Sequence, residues 1–196
     1  MSREHGPESS SSQSSWLSRT PRPIVPTPAS MCTDLRGRRV VVGLPGYGWH
    51  ADLRADEKVV QGSRTYVPVI PEHEWYKAES EQIEVFAPLV PADRVWVELL
   101  GDAGSPGQTV SLVSLDAPPR REPIPAANAT RLTGQRVIQV VEGVERRDLR
   151  AVTETHSGAT GDICVRIATE VEWYRWAWSG QSPRTLEVSA QVLWAE

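Results

Sequence analysis

The chain of 196 residues holds only two cysteines, two methionines and one phenylalanine, and none of its apolar runs approaches the length needed to cross a bilayer. Cys32 and Cys164 match no metal or redox spacing, so they read as an incidental thiol and a small strand residue, and no metal or cofactor is implied. The serine-rich start lacks the apolar core of a secretory signal. A soluble cytoplasmic protein without membrane contact is the expectation. A basic excess is missing too. The net charge is −4; residues 35–98 hold 8 basic and 10 acidic residues, and residues 132–196 hold 7 and 9. A surface that neutralises many phosphates needs the opposite balance. Nucleic acid is therefore a disfavoured partner, leaving one local basic strip, Arg36, Arg38 and Arg39.

Catalytic constellations are equally scarce. His5 falls in the serine-rich start, and His50, His73 and His156 have no partner at a recurring or metal-binding spacing. LPGYG lacks the glycine spacing of phosphate loops, and SGATGD reads as a hairpin turn. Glu74 with Glu172, and Glu98 with Glu196, recur as carboxylates expected to be solvated on strands. No catalytic residues are assigned.

What is present is a repeat. LRGRRVVV (Leu35 to Val42) matches LTGQRVIQ (Leu132 to Gln139), and Gly46 matches Gly143, all at a separation of 97. DLRA recurs intact at Asp52 and Asp148. VPVIPEHEWYK (Val67 to Lys77) aligns with VRIATEVEWYR (Val165 to Arg175) at 98, and VWVE meets LWAE at the end. Residues 35–98 and 132–196 are two copies of one unit, each near the lower size limit for an independent core. Residues 1–34, with SSSSQSS and PRPIVPTP, read as a disordered tail, which is either native or a leader appended ahead of Met31. Between the copies, residues 99–131 hold an extra strand at 109–115 and a Pro-rich linker.

Strands dominate the pattern. Ile163, Val165, Ile167, Val171 and Trp173 fall on one parity with charged residues on the other, which predicts one long strand running through the EWY block. Leu186, Val188, Ala190, Val192 and Trp194 predict a closing strand. With a strand, a turn at Gly46 or Gly143 and a second strand at DLRA, each copy has about five strands, and the fold class is all-β. The openings LRGRRV and LTGQRV, the length and the strand aromatics resemble the SH3-like small barrels of Tudor and KOW type. That resemblance implies a tandem of five-stranded barrels that bind peptides, modified side chains or RNA without catalysis.

Of the eight tryptophans, Trp75, Trp173, Trp96 and Trp194 sit on the apolar parity and are expected to fill the barrels. Tyr76 and Tyr174 lie on the opposite parity, continued in the second copy by Trp176 and Trp178. That face either contacts a partner or packs against the first copy or the 109–115 strand. Trp49, in GYGWHAD, has no counterpart and is either a ligand contact or a cap on the barrel. Asp and Arg of DLRA share a face and are expected to pair across strands or fix a turn. The function these features point to is a non-catalytic module that binds a protein or peptide segment through Trp49, Tyr76, Tyr174, Trp176 and Trp178, or a second copy of the chain as a homodimer. Two alternatives are nucleic-acid association through the Arg36 strip with aromatic stacking, and a small enzyme with a site between the copies around His50 and His156.

Overall fold

The computed structural model describes residues 19–102 and 117–196. The serine run and the expected strand at 109–115 lie outside the described residues. Within them the chain forms two antiparallel sheets of identical topology with two short helices. Among the described residues, no helix is long and apolar enough to cross a membrane.

The first unit runs β1 (Ile24–Pro28), β2 (Arg39–Leu44), β3 (Gly48–Ala55), β4 (Val59–Gln61), β5 (Arg64–Pro71), α1 (Glu72–Glu81), β6 (Leu89–Pro91) and β7 (Val95–Leu100). The second repeats it as β8 (Ile124–Pro125), β9 (Arg136–Val141), β10 (Val144–Ala151), β11 (His156–Ser157), β12 (Ile163–Thr169), α2 (Glu170–Ser179), β13 (Leu186–Ser189) and β14 (Leu193–Ala195). The strand orders are β1-β7-β2-β3-β5-β4, with β6 on β5, and β8-β14-β9-β10-β12-β11 reversed, with β13 on β12. β5 is shared along its length: Arg64 to Pro68 pair with β4 and β6, whereas Val69 to Pro71 pair with β3. That division curls the sheet into a half-barrel, so each copy is the barrel-like all-β unit the repeat predicts.

Each unit begins earlier than expected. Ile24–Pro28 pairs along β7 from Leu100 to Trp96, inside the stretch read as a disordered tail, and Ile124–Pro125 pairs with β14 inside the expected linker. The repeat extends there as well: Pro28-Ala29 and Pro125-Ala126 are 97 apart, and both alanines open 3-10 turns and are fully buried. The composition hid this, because prolines are unusual in strands and the segment has no run of large apolar residues. Ile24 and Arg121, again 97 apart, exchange backbone hydrogen bonds of 2.9 and 3.1 Å, which tie β1 to the segment leading into β8.

The cores are aliphatic. Leu35, Val40, Val67, Val95 and Val97 fill the first; Leu132, Val137, Leu149, Val165, Ile167 and Leu193 fill the second. Burying each contributes roughly 1.5–3 kcal/mol. Trp75, Trp173, Trp96 and Trp194, expected in the cores, are only half-buried. For Trp96 and Trp194 the cause is a 3-10 turn, Ala92–Arg94 or Ala190–Val192, which interrupts the strand before the final pairing. After it, Val95 and Val97, or Leu193 and Ala195, face inward. Alternation cannot be carried through a turn of three residues.

The larger correction concerns the EWY block, which is helical. The strands stop at Pro71 and Thr169, and Glu72 and Glu170 then open helices whose first turns carry two carboxylates each, as the helix dipole favours. Thr169 caps α2 by accepting a hydrogen bond from the Glu172 amide at 3.3 Å. In a helix, residues four apart share a face. Glu72 therefore aligns with Tyr76, and Glu170 with Tyr174, while Trp75 and Trp173 turn aside.

Candidate functional site

The helices meet between the two units, and their carboxylates are exchanged. Glu72, fully buried, accepts from the second unit: from Tyr174 Oη at 2.7 Å, Arg136 Nη2 at 2.6 Å and Arg150 Nη2 at 3.2 Å. Glu170 accepts from the first unit: from Tyr76 Oη at 2.8 Å, Arg54 Nη2 at 3.1 Å and Arg39 Nη2 at 2.8 Å. Each glutamate also meets an arginine of its own unit, Glu72 with Arg54 Nε at 2.9 Å and Glu170 with Arg136 Nε at 3.2 Å. The tyrosine rings stack at 5.2 Å, and the Arg54 and Arg150 guanidiniums lie over Tyr76 and Tyr174 at 5.3 and 5.0 Å.

The electrostatics follow from burial set against charge. Burial alone would raise the Glu72 carboxyl, but the Arg136 and Arg54 guanidiniums and the Tyr174 hydroxyl hold it down at about 2. Both tyrosine hydroxyls are pushed up, by burial first and then by the neighbouring glutamate, so they remain protonated donors. Burial works against the Arg136 charge, and Glu72 and Asp52 more than restore it.

Four guanidiniums, from Arg39, Arg54, Arg136 and Arg150, face two glutamates, so two further carboxylates are needed for balance. Glu196 supplies one, to Arg39 Nη1 at 3.1 Å. Asp52 supplies the other, to Arg136 and Arg150 at 2.8 Å each. Asp52 reaches them from a bulge between β2 and β3, in the left-handed region at φ 58°. Its counterpart Asp148 instead pairs with Arg146 at 2.9 Å on the surface. DLRA thus does pair ions: Asp52, Arg54 and Arg150 reach across the units, whereas Asp148 pairs within β10. Glu98 and Glu196, expected to be solvated, are buried on Arg121 and on Arg39 and Arg147. Glu74 is half-exposed, as expected.

Tyr76 and Tyr174, read as outward-facing, are therefore held between the units, the packing alternative for that face. Trp176 remains 39% exposed, set edge-on against Trp173 at 5.6 Å, and Trp178 is half-buried. Arg36 and Arg38 stand near Asp56 and Asp34 with half or more of their side chains exposed, and Arg39 is in the network. His50 is exposed on β3, and His156 pairs with Glu187 at 3.1 Å at the far edge of the second sheet; neither joins the network.

A second feature belongs to the first unit alone. Trp49 lies across Gly43, where an added Cβ would approach the indole to 2.6 Å. The glycine lets the ring lie flat against the strand. Trp49, Trp96, Leu44 and Pro45 line an open cleft of about 560 Å³ with Asp93 and Arg94 at it. In the second unit Val140 occupies the place of Gly43, and the hairpin is one residue shorter, without a tryptophan.

No protein-family model, curated protein or solved structure gives a significant match to the chain.

Proposed function

We propose that the protein is a non-catalytic interaction module, acting in the cytoplasm, which binds a protein or peptide segment at the Trp49 cleft of its first unit. The observation that carries this reading is the break in the repeat. Shared pairs such as Leu35 with Leu132 and Glu72 with Glu170 serve the core or the joint between the units; Trp49 serves neither and is 37% exposed. A flat aromatic wall of two tryptophans with a proline beside it suits an extended apolar segment, and Asp93 and Arg94 offer one charge of each sign to fix its direction. Trp176 and Trp178 on α2 form a secondary contact surface in this reading. Tyr76 and Tyr174 position the units instead.

Selection of peptides from a random library on the intact chain, followed by titration with Trp fluorescence, tests it. Trp49→Ala and Trp96→Ala should weaken an enriched peptide at least about tenfold while leaving the unfolding midpoint within the range of surface substitutions. Failure to enrich any peptide, or binding unaltered in Trp49→Ala, overturns the reading.

A further inference from the structure

The reciprocal joint is broken at Arg136 as well as at Asp52. Arg39 Nη1 donates to Glu196, and the repeat makes Arg136 and Glu98 the matching pair. Glu98 has turned to Arg121 instead. Arg136 spends Nε and Nη2 on Glu170, Glu72 and Asp52. Beside it opens a cleft of about 190 Å³ lined by Asp52, Arg121, Gln135, Arg136, Arg150 and Glu196. The Arg136 and Arg150 side chains are 7% and 8% exposed, held rigidly by the network. Asp52, the carboxylate that meets them, is 57% exposed and arrives from a left-handed bulge.

We propose that this cleft is an oxyanion site, occupied in the resting protein by the Asp52 carboxylate, which yields to a carboxylate or phosphate group carried by a partner molecule. Buried guanidiniums fixed by neighbours are pre-organised for planar or tetrahedral oxyanions. Without Asp52, Arg136 and Arg150 lose a carboxylate they share, and an incoming oxyanion would restore an ion pair to both. The cleft is separate from the Trp49 wall, and the inference stands without the peptide-binding reading.

The test uses the full chain and two variants at constant ionic strength. Asp52→Gly removes the carboxylate and accepts φ 58° without strain; Asp52→Asn is the second variant, keeping the shape without the charge. Inorganic phosphate and acetate are titrated by calorimetry and by thermal melting, with chloride as the control. Both variants should bind at least one probe about tenfold more tightly than the wild type, and that probe should recover the melting temperature lost with the carboxylate. Preference for phosphate or for acetate tells which group the partner carries. No response beyond chloride in either variant, or equal affinity in wild type and variants, overturns the proposal.

Discussion

The Glu72 carboxylate accepts a 2.7 Å hydrogen bond from the hydroxyl of Tyr174, a residue 102 positions later that belongs to the other unit. The pair Glu170 and Tyr76 mirrors it at 2.8 Å. Each helix thus contributes a glutamate whose hydrogen bonds come mainly from the other unit, which makes the two units one cooperative structure rather than beads on a linker. A lost carboxylate strands several guanidiniums in a dry joint. Glu72→Gln is expected to cost about 3–5 kcal/mol in denaturant unfolding, as removal of one member of a buried ion cluster does. In double-mutant cycles, Glu72→Gln should couple more strongly to Tyr174→Phe than to Tyr76→Phe. Equal coupling would contradict the crossed geometry.

Acid stability follows from the same carboxylate. The folded Glu72 value of about 2 lies below the unfolded value of about 4.3, so its contribution is present above pH of about 4.3 and is lost as pH falls through about 2. The size is about 3 kcal/mol. Glu98 works the other way: burial, only partly opposed by Arg121, raises its carboxyl, so its cost at neutral pH is relieved on acidification. Unfolding free energies measured between pH 2 and 7 should therefore fall below pH of about 4.3 in the wild type, and that slope should be shallower in Glu72→Gln.

Gly43→Ala addresses the Trp49 wall. The new methyl group would press on the far end of a half-exposed indole, which can swing away at little energetic cost. Stability should change by less than about 1 kcal/mol, while peptide affinity at the cleft falls and Trp49 emission shifts to longer wavelength. Full affinity with a displaced emission would show that the ring position does not matter to binding.

His156 titrates with a partner. Its hydrogen bond to Glu187 raises it above the ordinary histidine value, and the same bond lowers Glu187. The contribution to stability is therefore present below pH of about 6.5 and disappears as pH rises through the raised value. Proton NMR of the imidazole should give a midpoint above about 6.5 that drops in Glu187→Gln.

Much of the architecture is legible in the sequence because the repeat is. Leu35 and Leu132 are both fully buried, Gly46 and Gly143 both turn a hairpin, and DLRA lies on β3 and β10 as the alignment requires. The helical phase was available too: Glu72 and Tyr76, like Glu170 and Tyr174, stand four apart, a helix spacing obscured because Ile163, Val165 and Ile167 set a parity that the next residues happened to continue. The Trp49 hairpin stood out as the place where the copies differ.

The sequence by itself determined that two copies of one strand-rich unit exist, since local alternation, turn glycines and recurrence are all properties of short segments. Only the tertiary structure decided where the charges go. Glu72 and Arg150 lie 78 positions apart and Arg39 and Glu170 lie 131 apart, and nothing local marks a carboxylate as buried rather than solvated. Burial of a charge is favourable only when its counter-ions converge from elements that the chain brings together after folding.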